Sequence, residues 1–463
     1  MSVWRKIEEL SGWKWILFCI LFFIVLQLLL HPAILNTTIL YAEDGTVFIN
    51  DYLKNGLTSF LKPFGGYLVL ISRLTAFLGV TVGQITNSFS AIGETIEVFA
   101  MLFVAVVCAY FASESFSWIS KKKHIRVLNG SALLLLVSCF HMMLYNSVDL
   151  HWWCGIFAFL ASINIIRGEK IQPAWLTILA LCLLSTPSAF VVALPVLYSI
   201  FSKHREKSIS IYIVSLSCLA IQAIIIVFLS DLESGGSLSA WGLLRTVRYI
   251  IELTLGAPLF IFGPQAFHFA MTNGLGVVLG GACWILLYYT FKVKRAQDVF
   301  WLSIINIMLL YFMILFKRSS DIDAEYISLT DSWYNIFYNV IPAVICFILF
   351  IIAFLANTTP ILNTLRSERR QKKILDAKIL TAILLFLATS YYFNTYNDHG
   401  VLDLTKNNSY KEIDEYADYS SKHYAKVNIL PYWNEDWTVY VPVDDKYCLE
   451  NGCYEEIEVG KAK

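Results

Sequence analysis

The sequence contains little charge for its length, and this shortage argues against a water-soluble globular protein. Of its 463 residues only 15% are charged, whereas 57% are hydrophobic and the mean hydropathy is +0.61. A soluble protein of this size covers its surface with about 25% charged residues, whereas a chain surrounded by lipid needs no such cover. The 35 basic and 35 acidic residues balance, so net charge indicates no nucleic-acid partner. The composition predicts a polytopic membrane protein.

Two further absences narrow the function. The chain contains no GxxxxGK[ST] or GxGxxG segment of the kind that holds nucleotide phosphates. It also contains no internal repeat, and ionisable residues are nearly absent from the middle of its hydrophobic stretches, whereas many transporters have both features. These absences disfavour a nucleotide-dependent enzyme and a transporter.

Eleven hydrophobic stretches are long enough, or nearly so, to cross a membrane, which takes about 20 mostly apolar residues. The first runs from about Trp13 to Leu35 and is too long for the hydrophobic region of a signal peptide. We expect it to be an uncleaved first span. The predicted spans begin near positions 13, 90, 127, 152, 172, 188, 209, 272, 298, 336 and 374.

Lysine and arginine set the predicted orientation, because cytoplasmic loops are enriched in both. With eleven spans, six basic clusters fall on one side of the membrane. This arrangement predicts a cytoplasmic N-terminus and a C-terminus on the opposite side, which is the periplasmic side of a bacterial inner membrane. The clusters are Arg5/Lys6/Lys14, Lys121–Lys123 with Arg126, Arg167/Lys170, Lys203/Arg205/Lys207, Lys292/Lys294/Arg295 and Arg366/Arg369/Arg370/Lys372/Lys373.

The predicted organisation is an all-α polytopic membrane domain over residues 1–392, with a first external loop over 36–90, and a small periplasmic tail over 393–463. The tail contains many tyrosine and tryptophan residues, which indicates a folded cap because disordered segments contain few aromatics. It also contains Cys448 and Cys453. In an oxidising compartment these two neighbouring cysteines predict a disulfide.

An acidic pair, Glu43-Asp44, is followed by Gly45 only a few residues after the first predicted span. Such a sequence is most often a turn in which aspartate caps its own backbone. Two anions this close to the hydrocarbon are poorly solvated, however, unless they have a task or a cationic partner. Because neighbouring side chains diverge in direction, one carboxylate can enter a site while the other holds the loop.

The same loop continues through a Pro-Gly-Gly turn into an amphipathic pattern, in which Leu70, Arg73, Leu74 and Phe77 recur at helical spacing. The pattern predicts an interface helix over about residues 67–80. Arg73 on such a helix either extends its long side chain to the interface or holds a lipid-linked phosphate at headgroup level. The sequence leaves both interpretations open.

Polar residues at the outer ends of later spans are candidates for binding an acceptor or supporting the acidic pair. Glu94 and Glu97 are three residues apart and share one face of the second predicted span. Asp149 and His151 lie in the next external turn, beside paired tryptophans that are typical interface anchors.

Positively charged residues on the outer side depart from the usual bias and need a reason. Arg245 and Arg248 lie in one predicted external loop, and Lys317 begins another. Anion binding is one explanation, and pairing with nearby acidic residues is the other.

These features together resemble the glycosyltransferase C superfamily, and within it the serotype-converting O-antigen glucosyltransferases. The resemblance is carried by Glu43-Asp44-Gly45…Phe48 and by Pro63-x-x-Gly66-Tyr67…Arg73, while the rest of the chain matches in architecture alone. It implies a polyprenyl-phosphate sugar donor, with undecaprenyl-phosphate glucose as the first expectation. It also implies an O-antigen or other lipid-linked glycan acceptor, and functional links to a flippase and to the glucosyltransferase that makes the donor.

In that superfamily a first-loop carboxylate is the general base, so Asp44 is the first expectation here and Glu43 the second. A base is needed because an acceptor hydroxyl is a weak nucleophile, and a single base without a covalent intermediate inverts the anomeric carbon. The departing phosphate is anionic and needs cations. The candidates for that role are Arg73, Arg245, Arg248 and Lys317. The sequence supports no metal or other cofactor, because it shows no unambiguous ligand set.

Three other functions stay open. A transporter or flippase would carry internal repeats and charges within its spans. An O-antigen polymerase would have large arginine-rich external loops deep in the chain, whereas the acidic loop here is the first. A catalytically inert membrane scaffold would tolerate replacement of both Glu43 and Asp44.

Overall fold

The structure is a computed structural model that describes residues 8–30, 40, 43–138, 146–201, 209–229, 240–262, 264–293, 296–317, 336–363, 413–429 and 438–457. Within these ranges the chain is mostly helical, with one two-stranded sheet near the C-terminus. The predicted fold class, a helical membrane-embedded protein, agrees with this architecture.

The hydrophobic stretches form helices because long apolar runs satisfy their backbone groups internally in that conformation. α7 illustrates a sharp start: it begins with a proline, whose missing N–H costs nothing at the first helical position. In chain order the helices are α1 (Gly12–Leu30), α2 (Asn50–Asn55), α3 (Leu70–Thr86), α4 (Ser90–Ala112), α5 (Lys123–Ser138), α6 (Leu150–Arg167), α7 (Pro173–Leu183), α8 (Ala193–Phe201), α9 (Ile209–Ile224), α10 (Ala240–Gly256), α11 (Pro264–Thr272), α12 (Gly276–Val293), α13 (Gln297–Lys317), α14 (Ile336–Asn363) and α15 (Asp445–Asn451).

Among the described residues, five helical segments are long and apolar enough to cross a membrane, judged by length and composition. Several shorter apolar helices coincide with other predicted spans, including α7, α8 and α12. The count of eleven spans and the orientation derived from it therefore stay predictions, and the stretch that begins near residue 374 lies outside the described residues. The five segments are Gly12–Leu30, Ser90–Ala112, Leu150–Arg167, Ile209–Phe228 and Gln297–Leu315.

α4 and α6 form much of the interior of the helical bundle. α6 is buried along nearly its whole length, as is the C-terminal half of α4. The indole Nε1 of Trp15 donates to the carbonyl of Ala112 at 3.2 Å, and the Nδ2 of Asn164 donates to the hydroxyl of Tyr110 at 2.9 Å. These bonds pair polar groups that would be costly to bury alone. The bond from Asn164 fixes α6 to α4, and the first turn of α6 borders the candidate site.

The C-terminal region contains a small folded unit, which we call the cap and define as residues 413–429 and 438–457. Its strands β1 (Tyr424–Asn428) and β2 (Thr438–Pro442) pair antiparallel, and α15 follows them. The buried side chains of the cap form an apolar cluster with residues of the first loop, α3 and α4. The cap therefore packs against the part of the chain that contains the acidic pair.

Candidate functional site

The acidic pair opens a continuous helical segment. Glu43 directly precedes a π-helical stretch, Asp44–Ile49, which runs straight into α2. π-helical turns are rare and are frequently found at functional sites. The two acidic side chains have different surroundings here, because Asp44 is fully buried whereas Glu43 is partly exposed.

Asp44 is bonded to the turn that precedes α6. Its Oδ1 accepts from the backbone N–H groups of Ser147 at 3.1 Å and Val148 at 3.0 Å, and the Ser147 hydroxyl donates to the same oxygen. The hydroxyl of Ser72 in turn donates to the Ser147 carbonyl at 2.6 Å. Hydrogen bonds to a carboxylate are stronger than neutral ones. Asp44 therefore links the first loop firmly to the start of α6.

Glu43 is the more available carboxylate of the pair. Its side chain accepts a hydrogen bond from its own backbone N–H, and its charge is close enough to Tyr67 and Asp149 to raise the pKa of both groups. Burial raises the pKa of Glu43 above its usual range, because partial removal from water disfavours the charged form. A partly exposed carboxylate with a raised pKa is a stronger proton acceptor than an ordinary carboxylate.

Asp149 adds a third carboxyl group to this region. Its Oδ2 accepts from Asn146 Nδ2 and its backbone N–H donates to Asn146 Oδ1, each at 2.8 Å. Burial, and then the charges of Asp44 and Glu43, raise the pKa of Asp149 to about 8 against the opposing effect of the Asn146 bond. At neutral pH this carboxyl is mostly protonated, so it can donate a hydrogen bond.

Tyr67 is a neighbour of Glu43 that belongs to a motif noted in the sequence but was given no role there. It closes a tight turn in which Phe64 N–H donates to the Tyr67 carbonyl at 2.8 Å and Tyr67 N–H donates back at 3.2 Å. Gly65 and Gly66 between them have φ values of 60° and 85°, which glycine adopts without the strain that other residues incur. Burial, and then the charge of Glu43, raise the pKa of Tyr67 to about 12, so its phenol stays protonated.

Arg73 is buried in an ion pair, which corrects the expectation that it faces lipid headgroups. The predicted helix is present as α3, shifted to residues 70–86, but Arg73 lies on its buried face and is 2% exposed. Its Nη1 donates to Asp51 Oδ2 at 2.6 Å. A buried guanidinium without a counter-charge is very unfavourable, so the nearest carboxylate holds Arg73 instead of a phosphate.

Asp51 is the second residue that the sequence analysis missed. Its Oδ1 accepts from Lys62 Nζ at 2.9 Å and from Asn55 Nδ2 at 2.7 Å. A signal was present, because Asp51 follows Asp44 by seven residues, which is two turns of a helix. Recognising the helical segment would have placed Asp51 on its buried side with Asp44, where a carboxylate needs a cationic partner.

The remaining predicted acidic and histidine residues, Glu94, Glu97 and His151, do not lie together in one site. Glu97 is buried within α4, whereas Glu94 is exposed, so the two do not form a common polar surface. The Nδ1 of His151 is directed at the carbonyl of Val148, in the turn that holds Asp44. His151 therefore belongs to the turn, and Glu94 lies on the outer face of its helix.

The remaining predicted cations lie on other helices. Arg245 and Arg248 are on the exposed side of α10, where Arg248 Nε lies 2.7 Å from Glu252 Oε1. Lys317 ends α13, and its side chain lies outside the described part of the structure. The exposed position of the two arginines leaves them on the surface of the helical bundle.

The cap contains a disulfide between Cys448 and Cys453, whose Cα atoms are 5.0 Å apart. His423 is close enough to both sulfur atoms to complete a group of metal-ligand type, the one such group found among the described residues. Because the two sulfurs are bonded to each other, they do not offer thiolates to a metal. Glu43, Asp44 and Asp149 do not form such a group within the described ranges.

Comparisons with models of protein families, with curated proteins and with solved structures found no match to this chain. The class of protein is therefore described from the fold and the site alone. It is a mostly helical, membrane-embedded protein in which the cap packs against a buried acidic region.

Proposed function

We propose that this protein is a membrane glycosyltransferase that moves a sugar, with glucose as the first expectation, from undecaprenyl phosphate to O-antigen or a similar lipid-linked glycan. The reaction takes place on the periplasmic side of a bacterial inner membrane and inverts the anomeric carbon. The observation that carries the proposal is the partly exposed Glu43, whose raised pKa suits a base and which lies at the start of a helical segment near the membrane-embedded bundle.

Glu43 serves as the general base and Asp44 as the residue that holds the loop, which reverses the order expected from the sequence. A base must approach the acceptor hydroxyl, and Oδ1 of Asp44 already accepts three hydrogen bonds in a fully buried position. A carboxylate with a pKa nearer to neutrality also transfers protons more efficiently. Asp149 is also buried and is bonded to Asn146, so it supports the turn beside the acidic pair instead of contacting the sugar.

The departing phosphate carries negative charge and needs cations rather than a general acid. Arg73 is engaged by Asp51, so it positions the helical segment instead of contacting the donor. The exposed Arg245 and Arg248 of α10 are the described candidates for contact with a lipid-linked phosphate, and Lys317 stays a candidate from the sequence.

The test is the O-antigen composition and linkage of cells that express wild type, Glu43→Gln or Asp44→Asn at matched levels, in a host that supplies undecaprenyl-phosphate glucose. Glu43→Gln should reduce hexose transfer by about 10²–10⁴-fold, the usual contribution of a general base. Glu114→Gln, at an exposed position just after α4, is the matched control and should retain transfer.

Each other outcome has a definite meaning. Full activity of Glu43→Gln with loss in Asp44→Asn would restore the order expected from the sequence. Full activity of both would show that the pair is structural, as in a scaffold. If wild type transfers no sugar at all, the donor or the acceptor is wrong, and export of a lipid-linked glycan becomes the next function to test.

A further inference from the structure

We propose that the cap positions the acidic site, and that it does so by packing directly on Gly45, the residue after the acidic pair. The kinetic part of this inference rests on the proposed function, whereas the positioning part concerns the structure alone. It is carried by three independent kinds of contact between the cap and the helical segment that begins at Glu43.

The first contact is a close approach of backbone to side chains. A Cβ atom added at Gly45 would lie 2.6 Å from Ile429 Cδ1 and 2.9 Å from Val439 Cβ, which is inside the distance at which carbon atoms repel. The methyl end of Ile429 can rotate away, but Val439 Cβ is fixed to the backbone of β2. The lack of a side chain at Gly45 therefore allows the cap to reach the loop.

The second contact is hydrogen bonding along one edge of β2. Thr438 N–H donates to Thr46 Oγ1 at 3.0 Å, and Tyr440 N–H donates to Asn50 Oδ1 at 2.8 Å. Asn50 Nδ2 donates in return to the Thr438 carbonyl at 3.2 Å. An edge strand has backbone groups that need partners. Thr46 and Asn50, one helical turn apart, supply those partners and fix the register between strand and helix.

The third contact is made at the ends of neighbouring helices. The carboxylate of Asp414 accepts from the backbone N–H groups of Phe89 and of Ser90, the latter at 3.0 Å, and so caps the first turn of α4. Lys54 Nζ, near the end of α2, donates to the Ile457 carbonyl at 2.8 Å. The cap therefore holds the helical segment together with the helix next to it.

Glu43 directly precedes the fixed points of this segment. Asp44 is bonded to the turn before α6, and Gly45, Thr46 and Asn50 are bonded to or packed against the cap. A shift of the cap is therefore transmitted to the backbone next to Glu43. Because a displacement of about 1 Å in a reacting group costs about 10²-fold in rate, the cap should affect kcat more than KM.

The structural part is tested by the accessibility of position 43. In the full-length protein a thiol is placed there as Glu43→Cys and combined either with Gly45→Ala or with Gly281→Ala. Gly281 of α12 is the matched control, because an added Cβ there meets no atom within 4 Å. A membrane-impermeant maleimide should label the Gly45→Ala protein several times faster, with the parent protein lacking Glu43→Cys as background. Equal labelling of the two variants would overturn the proposal.

The kinetic part uses milder variants, because Gly45→Ala also strains the packing. Thr46→Val removes the acceptor for Thr438 N–H with little change in volume, whereas Thr46→Ser keeps it. We expect Thr46→Val and Gly45→Ala to lower kcat and to leave KM for the donor unchanged. The loss of kcat should be about tenfold for Gly45→Ala. Thr46→Ser should have the kcat of wild type. Faster labelling with unchanged transfer would overturn the positioning role. If wild type transfers no sugar, the proposed function fails, and the labelling result still decides whether the cap positions residue 43.

Discussion

The Oδ1 of Asp44 accepts a 3.1 Å hydrogen bond from the backbone N–H of Ser147, although 103 residues separate the two in the chain. The bond joins the first loop to the start of α6, one of the most deeply buried helices. Asp44 is thereby held within the structure, and its neighbour Glu43 keeps a carboxylate that is partly exposed. Two adjacent acidic residues thus have separate tasks, and this division makes specific predictions.

Ser147→Ala should destabilise the protein without changing the charge of the site. The substitution removes the hydroxyl that donates to Asp44 and leaves the two backbone donors in place. Loss of one partner of a buried carboxylate costs about 1–3 kcal/mol, so thermal unfolding of the purified protein in detergent should begin at a lower temperature. Ser131→Ala is the control, since the Ser131 hydroxyl bonds within its own helix. Equal melting temperatures for both variants would contradict the role given to Asp44.

Asp149→Asn should flatten the dependence of stability on pH. The folded protein raises the pKa of Asp149 from 3.8 to about 8, so it binds this proton more tightly than the unfolded chain does. The associated stabilisation is fully present below the lower value and is lost as the pH rises towards the higher one. Wild type should therefore melt at a lower temperature at pH 8 than at pH 5, by more than Asp149→Asn does.

At pH 8 the Asp149→Asn protein should melt above wild type, because it never carries the buried charge. Glu455→Gln, at an exposed position in the cap, tests whether removal of any carboxylate has this effect and should follow the wild-type profile. Parallel profiles for wild type and Asp149→Asn would show that Asp149 titrates as an ordinary surface group.

Arg73→Ala should be among the most destabilising single changes in the chain. It leaves Asp51 as a buried carboxylate with Lys62 as its remaining cation, and removal of one partner from a buried pair costs about 3–5 kcal/mol. Arg248→Ala is the contrasting control, because the Arg248 side chain is 72% exposed and surface pairs contribute about 0–1 kcal/mol. Chemical unfolding of both variants measures the difference, and similar losses would contradict the burial of Arg73.

Reduction of the Cys448–Cys453 disulfide should loosen the cap. The bond closes a loop with a sequence separation of 5, and a loop this short corresponds to about 2 kcal/mol in the chain-entropy account. The Cys448→Ser/Cys453→Ser double variant and reduced wild type should both show faster protease cleavage within the cap of the intact protein. Cys283→Ser, which removes a free cysteine, should cleave like oxidised wild type. Equal cleavage rates in all four samples would show that the bond does not stabilise the cap.

The helices of the bundle were predictable because membrane insertion leaves a strong pattern in the sequence. The runs that became α1, α4, α6 and α13 are visible as apolar stretches of adequate length. The burial of Arg73 was not predictable in this way, because the period of the pattern around it fits an interface helix as well as a packed one. Its actual orientation follows from Asp51, a partner that a pattern confined to residues 67–80 could not include.

The sequence predicted which segments of the chain form the site, but it did not predict which of their residues contact one another. The acidic pair and the turn at Asp149 were both recognised from local features, whereas the bond from Asp44 to Ser147 depends on how distant segments pack. Gly45 is part of a sequence motif, but the structural requirement for glycine there is the close approach of Val439, which lies near the far end of the sequence. Contacts of this separation leave no local pattern in a single sequence.

The bond between Thr46 and Thr438 also has a consequence for the timing of synthesis, because 392 positions separate the two residues. At about 5–20 residues per second, a ribosome takes about 20–80 s to proceed from one to the other. During that interval the acidic loop has been synthesised, but β2 does not yet exist. A ribosome that stalls or terminates early would therefore leave a loop without its partner, because translation through β2 provides the strand that the loop binds.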